Sequence, residues 1–195
     1  MDKLAAVNRV LQKTGRLPVT VLDTNGSSIA GMAERAIDME ELEIQAHGWH
    51  YNTRTDVELT PAVGGLIALP AGTLHIDSSG ASVGRNVAQV GDYLFDLKEN
   101  VNTFTESVRV TYSVRVAFAC IPLPVRLYIA AAAVASFNCQ FGAPSRQGKL
   151  EDEMAMARLK ARQFNTDTAD VNILDTAEIR AVRGHRDNPM RYLET

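Results

Sequence analysis

Val108-Arg109-Val110-Thr111-Tyr112-Ser113-Val114-Arg115-Val116 alternates apolar and polar side chains over nine positions. Side chains point to opposite faces every second residue in a strand, so this stretch reads as a half-buried antiparallel strand. Upstream, the same period holds back to Tyr51. It predicts shorter strands at Asp56–Leu59, Gly65–Leu69, Thr73–Asp77, Asn86–Val90 and Asp92–Leu97, separated by Pro70-Ala71-Gly72, Ser78-Ser79-Gly80 and Gly91. Residues 51–118 are therefore expected to form one small antiparallel sheet inserted between helices.

Downstream, Val116–Ala135 is almost entirely apolar and about as long as a bilayer requires. Pro122 and Pro124 interrupt it, and Arg126 would lie deep in hydrocarbon. The stretch reads instead as a strand running into a proline-started buried helix, with Leu127, Ala130, Ala131, Val134 and Phe137 on its packed face. Phe141-Gly142-Ala143-Pro144 breaks the chain, and Ser145 is placed to cap another helix. There Leu150, Met154, Ala157, Ala161 and Phe164 recur at 4-3-4-3 spacing, a helix–helix seam. Beyond Asn165 the sequence is polar and weakly patterned, as expected of an extended arm.

The N-terminal third is also helical in period. Leu4, Val7 and Leu11 share a face, ended by Gly15 and Pro18. A longer helix is expected from about Ser28 to His47, with Ala33, Ile37, Glu40 and Ile44 on one face and Met32, Ala36 and Met39 beside it. Gly48 ends it. The fold class is thus α+β: an antiparallel helical bundle (1–50 and 119–165), an inserted β domain (51–118) and a C-terminal arm (166–195).

Composition narrows the function. Of 195 residues 46% are hydrophobic, enough to offset the ordering entropy of a folded chain. Twenty basic against 23 acidic residues leave a net charge of −3, so no global basic field exists to hold nucleic acid or an acidic membrane. Cys120 and Cys139 are too few for a disulfide framework and read as buried thiols in a reducing compartment. Asn8 and Arg9 interrupt Leu4–Leu11, which argues against a secretory signal.

Chemistry-bearing motifs are sparse. No GxxxxGK[ST] loop is present. His47 and His50 straddle Gly48 without a local carboxylate or thiol to complete a metal set. His75 and Asp77 share a strand face but have no nucleophile beside them. Asp92 and Asp96 could in principle hydrolyse a glycosidic bond. On a straight strand, however, they lie roughly 13 Å apart, too wide for that reaction. No catalytic, cofactor-binding or metal-ligating residue is expected. Arg180, Arg183 and Arg186 sit among acids in the arm, a mixed-charge pattern that suits docking on protein.

Several stretches in order resemble one family. Leu4-Ala5-Ala6-Val7-Asn8-Arg9-Val10-Leu11 is followed by Gly15, Pro18-Val19 and Leu22. Gln45-Ala46-His47-Gly48-Trp49-His50-Tyr51-Asn52 comes next, then Gly91-Asp92-Tyr93-Leu94-Phe95-Asp96. Phe137-Asn138 and Phe141-Gly142-Ala143-Pro144 precede an acidic helix near Leu150. Together they resemble the tail tubular protein A family, the head-to-tail adaptors or gatekeepers of short-tailed bacteriophages. The resemblance implies a structural virion protein of the tail, made in the host cytoplasm, that forms a ring of twelve between the portal protein and the tail nozzle, tubular protein B. Genomic DNA would pass through without sequence-specific binding. It further implies that Asn8, Gly15, Pro18, Gly48, Trp49, Asn52, Gly91, Phe141, Gly142 and Pro144 are family-motif positions; the arm, with its arginines, matches the family least, and its assembly role follows from its mixed charge. No cofactor and no membrane partner are implied. A tail-associated polysaccharide-degrading hydrolase is the alternative reading.

Overall fold

A computed structural model describes residues 1–22 and 28–169. The class is α+β. Helix α1 (Lys3–Lys13) opens under Asp2, whose carboxylate accepts from the Ala5 N–H at 2.7 Å. Helix α2 (Ile29–Ala46) opens under Ser28, whose Oγ accepts from the Gly31 N–H at 3.1 Å. Five strands follow: β1 (Thr53–Leu59), β2 (Thr73–Ser78), β3 (Val87–Val90), β4 (Tyr93–Asp96) and β5 (Val108–Val114). The chain then returns to helix in α3 (Leu123–Phe141) and α4 (Gln147–Ala169).

The strands form two antiparallel sheets where the sequence predicts one: a three-stranded sheet in the order β1-β5-β2, and the hairpin β3-β4. Gly65–Leu69, expected as a strand, makes only single bridges through Leu66 to Thr103 and Ala68 to Tyr93. Gly64 and Gly65 enter it with positive φ and Pro70 leaves it, so too few residues keep extended geometry to build a ladder.

Strand β5 departs from strict alternation. Val108 and Val110 are fully buried, but the next buried residue is Ser113, while Tyr112 is half-buried. Both neighbours slip register here, β1 between Arg54 and Val57, β2 between Thr73 and His75. A one-residue slip exchanges faces. Asp56 sits in the β1 bulge at φ +53, a conformation that aspartate tolerates. Its carboxylate pairs with Arg109 at 2.8 Å across the sheet.

Two apolar clusters result. The larger joins α1, α2, α3 and α4 through residues such as Val7, Leu11, Ile37, Ile129, Phe137 and Ala161. The smaller lies between the sheets, around Ile67, Leu94, Val108 and Val110. Helix α3 is the centre of the larger one: from Ile129 to Ala135 every residue is buried, so its packed face is wider than the spacing predicts. The alanines let α4 approach closely. Helices α3 and α4 are antiparallel, since Asn138 near the end of α3 bonds Gln147 at the start of α4. Tyr128 near the start of α3 lies by Asn165.

Four expectations need correction. Cys120 and Cys139 are exposed, not buried: Cys120 lies in the turn before α3, and Cys139 in its last turn beyond the packed stretch. Ser145 caps no helix, because Pro144–Arg146 forms a 3₁₀ turn that leads directly into α4. On α2, Glu41 takes the buried position expected for Glu40, and Met39 points outward. Thr166–Ala169, expected to begin the arm, complete α4 instead, where Thr168 Oγ1 donates to the Phe164 carbonyl at 2.8 Å. The remainder of the arm, with Arg180, Arg183 and Arg186, lies outside the described residues. Among the described residues, no helix is long and apolar enough to cross a membrane.

Candidate assembly surfaces and the joints that set them

The corner where α2 meets the sheet is built from Gln45, Gly48, Trp49 and Asn52. Gly48 turns the chain at φ +75. The buried Trp49 indole donates to the Ile44 carbonyl at 2.6 Å and leans on Tyr128 of α3. Asn52 is fully buried and fully used. Its Oδ1 accepts from the Trp49 N–H at 2.8 Å, and its Nδ2 donates to the carbonyls of Gln45 at 3.0 Å and Val114 at 3.1 Å. One amide therefore closes the helix end, the turn and the last residue of β5.

Gln45 extends that joint. Its amide exchanges two bonds with Val116, donating to the carbonyl at 3.0 Å and accepting from the N–H at 2.8 Å. The apolar–polar alternation runs to Val116, yet β5 stops at Val114 because a helix side chain takes over the ladder. Beside Gln45, the Glu41 side chain is only 3% exposed and meets Arg115 at 3.3 Å. Burial pushes its carboxyl above the ordinary range, and the Arg115 charge reverses only part of that shift. Burial also raises the Tyr51 phenol, helped by the Glu41 charge.

A second joint links α3 to α4. Asn138 Nδ2 donates to the Ala143 carbonyl at 3.2 Å and to Gln147 Oε1 at 2.9 Å. Gly142 passes so close to the Asn138 carboxamide that a Cβ there would overlap it. Phe141 packs at a tilt against Phe137, with ring centroids 5.0 Å apart, and Arg16 lies above Phe137 and donates to the Phe141 carbonyl at 2.7 Å. Pro144 starts the 3₁₀ turn. Gly15 turns the end of α1 at φ +81, with the Arg146 guanidinium beside it.

The remaining motif positions are local. Asn8 holds Val19 by both backbone groups, at 2.9 and 2.7 Å, which folds the exposed Pro18 segment back along α1. Gly91 makes the β3–β4 turn at φ +61. Apart from Asn8, which lies within α1, these residues sit at turns or element ends, and the structure does not gather them into one cleft.

Asp92 is exposed, while Asp96 is buried with its Oδ1 capping the Lys98 and Glu99 N–H groups at 2.9 and 3.1 Å. That is a turn-closing role. His75 and Asp77 are both exposed on β2. Among the described residues, no three His, Cys, Asp or Glu side chains cluster as metal ligands. Gln45, Glu41 and Asn138 were not singled out as site residues. The available signal was phase: Glu41 and Gln45 fall on the stripe of Ile37 and Ile44, where a polar residue must find a buried partner.

The joints leave clefts and some exposed apolar side chains on the helices. Arg158 and Arg162 of α4 face His47 and Trp49 across a cleft of about 350 Å³. A larger groove of about 520 Å³ runs between α1, α3 and α4, with Leu123 and Met156 about half exposed in it. Met39 lies in another depression between α2 and α3. Apolar side chains in such a groove suit contact with another molecule.

A family model for tail tubular proteins matches residues 4–171. The chain belongs to the tail tubular protein family, and is a structural component of a phage tail. No curated protein matches its sequence.

Proposed function

We propose that this chain is the head-to-tail adaptor of a short-tailed phage. Twelve copies form a ring between the portal protein and the nozzle made of tubular protein B. The observation that carries this reading is the family match over residues 4–171, which spans all four helices and both sheets. The geometry supports it in two ways. The motif residues are spent on fixing corners, which suits a subunit whose shape must repeat around a ring. Met39, Leu123, Met156 and Leu159 leave apolar side chains exposed on otherwise polar helix surfaces, which suits burial between neighbours.

In this reading residues 1–50 and 119–169 act as the bundle, residues 51–118 as the β domain, and the chain beyond as the assembly arm with Arg180, Arg183 and Arg186. The ring assembles in the host cytoplasm and stays in the virion tail. Genomic DNA slides through without sequence-specific contacts; a net charge of −3 supports this, since a basic wall would hold phosphates. The reading needs no catalytic residue, cofactor or metal, and the Asp96 turn-capping bonds weigh against the hydrolase alternative.

The test is negative-stain imaging and sedimentation velocity of the full chain, alone and mixed with its portal protein. Rings that cap the portal are the expected result. A chain that remains monomeric and leaves the portal bare refutes the adaptor reading.

A further inference from the structure

We propose that the groove between α1, α3 and α4 receives residues 170–179 of a second copy of this chain. The proposal rests on the ring reading above and names the surface that joins the subunits. The floor of the groove is apolar: Leu123 is 48% and Met156 57% exposed, with Leu127 between them. Water against such a floor is unfavourable, and aliphatic side chains from a partner remove that contact.

The rim selects the sign of the occupant. Arg9, Lys149 and Lys160 border the groove. Of the two rim carboxylates, Glu153 is already tied to Lys13 at 2.7 Å, which leaves Asp152 against three cations. The fitting ligand is therefore an aliphatic segment with negative charge. The sequence directly after α4 has that chemistry: Asp170-Val171-Asn172-Ile173-Leu174-Asp175-Thr176-Ala177-Glu178-Ile179 holds three acids, five aliphatic residues and no Lys or Arg.

Reach favours a neighbour's segment over the chain's own. Along α4, Met156 lies roughly 20 Å before Ala169 at about 1.5 Å per residue. An extended chain covers at most roughly 3.4 Å per residue. A segment doubling back from Ala169 thus spends about six residues on the return and arrives with Asp175. Val171, Ile173 and Leu174 would fall short of Met156. The same segment from a second copy carries no such tether. A tail-in-groove contact joins two different surfaces, so it can propagate from copy to copy, and it closes into a ring when the rotation per step allows.

The experiment uses the full-length chain with p-benzoylphenylalanine in place of Met156. Equal amounts of ¹⁴N and ¹⁵N protein are mixed, the assembly state is read by sedimentation velocity, and cross-links are mapped by mass spectrometry after irradiation. The expected product joins position 156 to residues 170–179, with about half of the pairs joining a light and a heavy chain, as random mixing requires. Cross-links confined to light–light and heavy–heavy pairs overturn the proposal in favour of the chain's own tail. Rings cross-linked to any other segment overturn the groove assignment while leaving the adaptor reading intact. A monomer without cross-links overturns both. Independently, Lys160→Glu should weaken association roughly fivefold, and adding Asp175→Lys should restore it. A double variant as weak as the single one overturns the charge match between rim and segment.

Discussion

Replacing Asn52 by Ala should destabilise the protein by about 3 kcal/mol. Asn52 is fully buried and makes three bonds, at 2.8, 3.0 and 3.1 Å, all to backbone groups. A buried hydrogen bond contributes about 1 kcal/mol net, and a donor left unpaired costs about 1–3 kcal/mol. The Gln45 carbonyl keeps another partner, the Gly48 N–H at 3.2 Å. The Trp49 N–H has only Asn52, so the loss concentrates there. For a chain of this size, about 3 kcal/mol lowers the melting temperature by roughly 6–12 °C. Trp49 is the sole tryptophan and sits in the same corner, so its fluorescence reports the local change directly. Urea and thermal melts should be followed by that signal and by circular dichroism. A melting temperature within about 1 °C of the parent would refute the claim that this amide closes the corner.

The other predictions concern the buried charges, the helix pair and the arm. Glu41 is held above its ordinary 4.5, so the folded state binds its proton more tightly than the unfolded chain does, and ionisation at neutral pH weakens the fold. Glu41→Gln should therefore raise the melting temperature at pH 7, with the gain disappearing as pH falls below 4.5; a pH series of melts checks this, and a gain that grows toward acid would contradict it. Phe164 is only half-buried, so Phe164→Ala should cost about 1–2 kcal/mol, less than the 3–5 of a fully buried ring. Ala161 is fully buried, and Ala161→Leu should cost about 1–3 kcal/mol by overpacking the α3–α4 contact; calorimetry of both variants tests the seam. Truncation after Ala169 should leave circular dichroism and melting unchanged while abolishing ring formation in sedimentation.

Local signals in the sequence sufficed to place the four helices among the described residues, though not every cap, end and phase. Ser28 as a cap, Gly48 as a stop and the stripe of Leu150, Met154 and Ala161 are each readable from neighbouring residues, because a helix satisfies its bonds within one segment. The presence of a strand beginning at Val108 is equally plain, although its end is not.

Register, by contrast, belongs to pairs of strands, and the sequence of one strand does not contain it. The bulges at Asp56 and Thr73 shift β5 so that Ser113 is buried where alternation places Tyr112, and the predicted single sheet divides in two. The end of β5 was set by Gln45, 71 residues from Val116 in the chain, and the burial of Glu41 by how α2 lies against Arg115. Cysteine exposure followed from where α3 enters and leaves its neighbours, not from residue type. Period and capping act within a few residues, so the sequence alone determined which elements form. Pairing and polar satisfaction act between distant segments, so only the tertiary structure decided which side chains close the corners and which surfaces stay open.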